Sequence, residues 1–168
     1  EMLFCYDNPP GTLEVSGSQD AIGIVMPGLN KAYYDGAYWP RRIEKIRDES
    51  MLQFVEQALY LVPLGPRGPE FDVLSDTHID RNGAKALADA TDRCWDAILA
   101  QDIEGFGRGM RDAFDAQIAM FPLMMTETLS EMVEQYRDQA LGWKVSGAGG
   151  GGYLILVSDA PIDEGFQV

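Results

Sequence analysis

Two short stretches hold residue types at spacings that can do chemistry. The first is Ser146-Gly-Ala-Gly-Gly-Gly-Gly152, in which five of seven residues are glycine. Positive φ is freely available there, so successive amides can turn inward and form a nest for an anion. Residues 147–152 formally satisfy G-x-G-x-x-G, but that fingerprint has to open a helix, and the following Tyr153-Leu-Ile-Leu-Val157 reads as a strand. A Walker loop is excluded as well, because no Lys-Ser or Lys-Thr pair follows the last glycine. A phosphate-binding loop and a flexible hairpin loop both remain open.

The second stretch is Ser18-Gln-Asp20. With Ser18 as N-cap, Asp20 falls in the first helical turn, where free amides and the helix dipole favour the carboxylate. Such a group suits orienting and polarising a hydroxyl better than strong proton abstraction, and an aspartate at a helix start can equally serve stability alone. Arg67 stands among glycines and prolines, placed either to reach a phosphate or to line a rim. His78 lies among Asp72, Asp76 and Asp80 at a spacing that fits no metal-ligand motif and reads as a solvated loop. Tyr33, Tyr34, Tyr38 and Trp39 can stack a sugar ring or face a core. Lys144 precedes the glycine loop on a strand, either to counter phosphate charge or as a surface residue.

Composition narrows the classes of function. The 168 residues carry 27 acidic and 13 basic side chains, a formal charge of −14, and 46% of them are hydrophobic. That much buryable surface supports a folded core, and the negative surface excludes nucleic acid as an expected partner. Arg41-Arg42 is the one basic pair, with Glu44 close behind. Cys5 and Cys94 form no disulfide or zinc pattern, which points to a reducing cytoplasm. No apolar run approaches the ~20 residues that cross a bilayer, so no membrane partner is expected. The chain opens on Glu1 and closes on Phe166-Gln-Val168, an extended segment still in progress, which predicts a fragment of a longer protein.

The elements that must position these residues follow from periodicity. Residues 1–17, with Asn8-Pro-Pro-Gly11, predict a loop or a remnant of an interrupted element. Ala21 to Met26 predict a short helix stopped by Pro27-Gly28, and residues 31–46 a hairpin. A brief helix over 51–57 and a buried strand over 58–64 precede a polar loop at 65–81. Leu87, Thr91, Cys94 and Ile98 mark an amphipathic helix over 83–100. A second helix runs through Ile103, Phe106, Met110, Phe114, Gln117 and Phe121 despite Gly105, Gly107 and Gly109. A capping box at Thr128-Leu-Ser-Glu131 opens a third helix ending near Ala140. A strand at 144–145, the glycine loop and a strand at 153–157 complete an α+β pattern, with helices packed on one face of an antiparallel sheet.

Lys144-Val-Ser-Gly-Ala-Gly-Gly-Gly-Gly-Tyr-Leu-Ile-Leu156 resembles the C-terminal motif of the GHMP kinases, the galactokinase, homoserine kinase, mevalonate kinase and phosphomevalonate kinase group. Ser16-Gly-Ser-Gln-Asp20, then Gly23 and Tyr33-Tyr-Asp-Gly36, is similar to the family segment holding its active-site aspartate, with a flavour of heptose- or fucose-type sugar 1-kinases. The resemblance implies a ferredoxin-like C-terminal domain over residues 49–168 and a remnant of the N-terminal kinase domain over 1–48. It implies ATP and Mg2+ as cofactors, and a sugar or sugar phosphate as acceptor. Asp20 would be catalytic, Ser18, Gln19 and Arg67 would bind substrate, and Ser146, Gly147, Ala148, Gly149, Gly150, Gly151 and Gly152 would bind nucleotide phosphates.

The family's serine-rich ATP loop has no counterpart in residues 1–17, so the resemblance implies that a nucleotide-binding half is missing and that this chain alone is inactive. Apolar surface left by that half would favour a homodimer. The rival reading is a degenerate, non-catalytic kinase module that binds a ligand or another chain.

Overall fold

In the computed structural model, which describes residues 1–13 and 15–168, the chain divides into two units, Glu1–Leu52 and Gln53–Val168. The first begins with helix α1 (Met2–Asp7), where the sequence predicted a loop. The Cys5 amide donates to the Glu1 carbonyl, and Asn8 closes the turn by donating from both its backbone amide and Nδ2 to the Phe4 carbonyl. One well-closed turn is enough to set a helix ahead of Pro9. Helix α2 (Gln19–Val25) and the antiparallel strands β1 (Leu29–Tyr33) and β2 (Arg42–Ile46) match the predicted helix and hairpin. Their register pairs Leu29 with Ile46 and Tyr33 with Arg42. This unit buries Ala21, Ile22 and Ile46, while Met2, Tyr6, Leu13 and Ile24 are exposed.

Helix α3 (Glu49–Ala58) leads into β3 (Leu59–Gly65), where the sequence predicted a buried strand; only Tyr60 and Val62 are buried, alternating with half-buried or exposed neighbours. Helices α4 (Arg81–Leu99) and α5 (Ile103–Met120) follow, then a 3-10 turn (Pro122–Met124) and helix α6 (Glu127–Tyr136). Strands β4 (Gly142–Val145), β5 (Gly152–Val157) and β6 (Phe166–Gln167) close the chain. The sheet order is β4-β5-β3-β6, with every neighbouring pair antiparallel. Numbered within this sheet, that is the strand order of a ferredoxin-like split βαβ arrangement, and the α+β reading holds. Phe166-Gln167, read from sequence as unfinished extension, pairs with Leu61 and Tyr60.

The period of two on the strands meets that of the helices in one core. Tyr60 and Val62 on β3, Leu154 and Leu156 on β5 and Val145 on β4 pack with Phe114, Leu129, Val133 and Tyr136. Each such side chain contributes about 1.5–3 kcal/mol of burial. Asp80, Asp102 and Thr126 cap α4, α5 and α6, each accepting a backbone amide three residues on. The cap of α6 is therefore Thr126, not the predicted Thr128, and α6 ends at Tyr136, short of Ala140. Thr91 is exposed, its hydroxyl donating back to the Leu87 carbonyl, and Ala90 and Ala97 complete the buried stripe of α4 instead.

Helix α5 runs along β4 at close range. A methyl on Gly107 would meet the Leu141 carbonyl carbon and oxygen at 2.6 Å, and one on Gly142 would meet the Gly107 oxygen at 2.1 Å. The glycines that weaken α5 as an isolated helix thus permit its backbone to approach the sheet.

Candidate functional site

The hairpin register carries Val145 opposite Leu154, and Ser146 closes the neck of the loop beyond. Its amide donates to the Tyr153 carbonyl at 2.9 Å, and its Oγ accepts from the Tyr153 amide at 3.0 Å. Past that neck, Gly147, Gly149, Gly150 and Gly152 all take positive φ, between 61° and 83°, where side chains with a Cβ are strained.

Part of the loop is packed. A methyl at Gly150 would sit 2.5 Å from the Phe71 ring, and one at Gly151 would sit 2.5 Å from the Arg67 amide nitrogen. Gly149 and Gly151 are buried. Among the described residues, the amides of residues 147 through 151 nevertheless donate to no protein acceptor. Several donors in one turn, two of them on buried residues, are costly unless something accepts from them.

Arg67 is brought to this loop by the fold. Its Nε donates to the Gly149 carbonyl at 3.0 Å, and its guanidinium carbon lies 5.7 Å from the centre of the Phe71 ring. Its residue is exposed, so the remaining guanidinium donors face outward beside the loop. A cavity of about 190 Å3 lies between Leu64, Pro66, Gly150, Gly151 and the start of α6 at Thr126 and Thr128. A second cleft of about 370 Å3, bounded by Glu70, Phe71, Asp72 and Leu123, shares Thr126 with it. Sequence reasoning missed Phe71 and Thr126. Only the threonine left a signal, as a good N-cap residue directly before Glu127.

Ser18, Gln19 and Asp20 belong to the first unit. Asp20 is exposed in the first turn of α2. Ser18 occupies the N-cap position but does not cap. It is fully buried, and its hydroxyl donates to the Tyr38 carbonyl at 2.7 Å while accepting from the Tyr34 hydroxyl at 2.9 Å. Gln19 is exposed and folds back over Gly17, where a methyl would come within 2.1 Å of its Oε1. Of the four aromatics, Tyr34 and Tyr38 are 42% and 63% exposed, Trp39 meets Phe4 at 5.9 Å, and Tyr33 is half-buried.

Lys144 is not a surface residue. Its Nζ donates to Gln117 Oε1 and lies 5.7 Å from the Phe114 ring, and burial lowers its pKa from 10.5 to about 8. His78 is exposed, 3.5 Å from Asp76, with its backbone amide donating to the Met120 carbonyl. Among the described residues no three His, Cys, Asp or Glu side chains are grouped to hold a metal ion, and no helix is long and apolar enough to cross a membrane.

Residues 96–164 match a family model described as GHMP kinases C terminal. The match runs from the end of α4 through α5, α6 and both strands of the loop hairpin, and so includes the whole of 146–152. The second unit has the mixed helix and antiparallel-sheet fold of that C-terminal domain. No curated protein matches the chain.

Proposed function

We propose that this chain is part of a GHMP-type small-molecule kinase that transfers the γ-phosphoryl group of ATP to a sugar hydroxyl. Residues 49–168 would be its C-terminal domain and residues 1–48 the acceptor segment. The observation that carries the reading is the run of amides at 147–151, which among the described residues have no protein acceptor and lie inside the stretch that resembles the family.

Phosphoryl transfer needs mainly positioning and charge stabilisation, because its transition state is loose and its charge is spread over oxygens. Preorganised amides supply that without reorganising during the reaction. Gly147 to Gly151 would donate to phosphate oxygens, and Arg67, anchored by the Gly149 carbonyl, would offer its remaining nitrogens to the same anion. Asp20 would accept a hydrogen bond from the acceptor hydroxyl and so polarise its oxygen. Ser18 acts behind it, holding the start of α2 against Tyr34 and Tyr38. Bound ATP supplies the phosphoryl group: an O–P bond forms to the sugar, the bond to the ADP leaving group breaks, and the hydroxyl proton leaves for the phosphate or solvent. Among the described residues no three His, Cys, Asp or Glu side chains are grouped, and none is assigned to Mg2+. In this reading the ion and the rest of the nucleotide are held by a further lobe, and the protein works in the cytoplasm.

Titration of the isotope-labelled chain with pyrophosphate and with ATP tests the loop directly. Saturable shifts of the 147–151 amides are expected, and their absence in a folded sample overturns the assignment. Turnover by a longer protein carrying a serine-rich nucleotide loop, lost in Asp20→Asn, tests the acceptor role. Near-normal turnover of that variant removes it.

A further inference from the structure

Lys144 is held differently from the other three lysines of the chain. Lys31 lies over the Tyr33 ring, Lys45 is exposed, and Lys85 pairs with Asp89. Lys144 stands on β4 where α5 passes at backbone range, with Gly107 and Gly142 too close for a side chain on either. Its Nζ donates to the neutral Oε1 of Gln117 and lies 5.7 Å from the centre of the Phe114 ring, which is fully buried. No carboxylate pairs with it among the described residues, and the titratable group that bears on it is Cys94 of α4.

An ammonium with one neutral acceptor, an aromatic ring and little water sheds its proton more readily than a solvated one. Lysines so placed are nucleophiles near neutral pH. Burial brings the pKa of Lys144 from 10.5 to about 8, so at pH 8 about half of it is free amine, against about 0.3% of an ordinary lysine. Lower basicity gives back part of that gain, which leaves about a tenfold advantage in rate. The residue is half-buried rather than sealed, so a small electrophile can reach its end. Once acylated, the nitrogen keeps one N–H, all that Gln117 Oε1 needs, and the charge that was costly to bury is gone.

We propose that Lys144 is an acylation site, where the amine takes the acyl group of a small acyl phosphate or acyl thioester. The Nζ lone pair forms a C–N bond to the carbonyl carbon, and the bond from that carbon to phosphate oxygen or thiolate sulfur breaks. The proton shed by nitrogen leaves with the phosphate, the thiolate or solvent. Neither step needs the kinase reading above. The modified residue would stand two positions before Ser146, at the neck of the glycine loop.

Brief treatment of the folded chain with acetyl phosphate, and separately with S-acetyl-N-acetylcysteamine, followed by peptide mapping, reads the acetylation of each lysine. At pH 8 Lys144 should react about tenfold faster than Lys31, Lys45 or Lys85, and the four should react alike in urea. Its rate should level off above about pH 8 while the others keep rising toward pH 10. Gln117→Glu sets a carboxylate beside Nζ and should slow Lys144 about tenfold. Gln117→Leu removes the acceptor without adding charge and should leave Lys144 the fastest of the four. Acetylated chain should unfold at higher urea than the parent at pH 7. Reaction with one donor and not the other identifies the source of the acyl group. Slower reaction at Lys144 than at exposed Lys45, a rate rising with pH like the others, or parental reactivity in Gln117→Glu refutes the site. Pyrophosphate shifts at 147–151 report on the kinase reading separately, so failure of one is not failure of the other.

Discussion

Arg67 donates from Nε to the carbonyl of Gly149 at 3.0 Å, joining two loops 82 residues apart. One bond fixes two things, because the same guanidinium covers Phe71 and the Phe71 ring closes over Gly150. Arg67→Ala should loosen residues 147–151 and weaken pyrophosphate binding about tenfold, with a stability cost near 1 kcal/mol because the side chain is exposed. Relaxation measurements on the Gly149 amide, together with the titration, check both parts. Unchanged loop order in the variant would remove Arg67 from the site.

The glycines of the loop should differ in their tolerance of alanine. Gly147 has positive φ but open space around its missing Cβ, so Gly147→Ala carries only a backbone cost of about 1 kcal/mol. Gly150 combines positive φ with the Phe71 ring, and Gly151 faces backbone that cannot swing aside. Urea unfolding should show Gly150→Ala and Gly151→Ala losing about 2–4 kcal/mol. Equal losses at all three positions would mean that packing on residues 66–71 does not shape the loop.

Ser18 gives a third measurement. Its hydroxyl is buried and makes two hydrogen bonds, donating to the Tyr38 carbonyl and accepting from the Tyr34 hydroxyl. Ser18→Ala should cost about 1–3 kcal/mol and speed hydrogen exchange across residues 34–41, leaving the second unit untouched. If exchange there is unaltered, the link from Ser18 to the hairpin connection is not what holds it.

Much of the architecture was legible because it follows from local period. The stripe from Ile103 to Phe114 gives α5, and the apolar run at 58–64 gives β3 beside the alternating β5. The misses share a different cause. Met2–Asp7 is too short for its pattern to outweigh Asn8-Pro-Pro-Gly11, and Ser18 looks like a cap until distant Tyr34 and Tyr38 claim its hydroxyl. The loop was read as glycine-rich, but its packing against Phe71 and Arg67 is announced by no spacing. Lys144 is of the same kind, since only the passage of α5 buries it.

Lys144 links stability to pH. Its folded pKa of about 8 lies below the ordinary lysine value of 10.5, so the folded state favours the neutral amine. Below about pH 8 both states are protonated and the full burial penalty applies. Between about 8 and 10.5 the unfolded chain binds the extra proton, so this group makes stability rise with pH. Lys144→Met keeps the volume and removes the charge. It should be more stable than the parent at pH 7 by an amount on the order of 1–3 kcal/mol, with the gap closing by pH 10. Denaturant titrations of both proteins across that range decide it, and a gap independent of pH would show that the ammonium is not desolvated.

Helix α5 supplies the last test, because its glycines were expected to weaken it and instead face contacts. A methyl on Gly109 would come within 2.6 Å of Cys94 Cα, and one on Gly107 within 2.6 Å of the Leu141 backbone. As an isolated helix the segment gains about 1 kcal/mol from each alanine, so a peptide of residues 103–120 carrying Gly107→Ala and Gly109→Ala should be more helical than the parent peptide. In the whole protein the same changes push α5 away from α4 and from β4, where backbone opposes backbone and no side chain can move aside. Each should destabilise by about 3 kcal/mol or more, reversing the sign found in the peptide. Agreement in sign between peptide and protein would show that the close approach of α5 is not a feature of the fold.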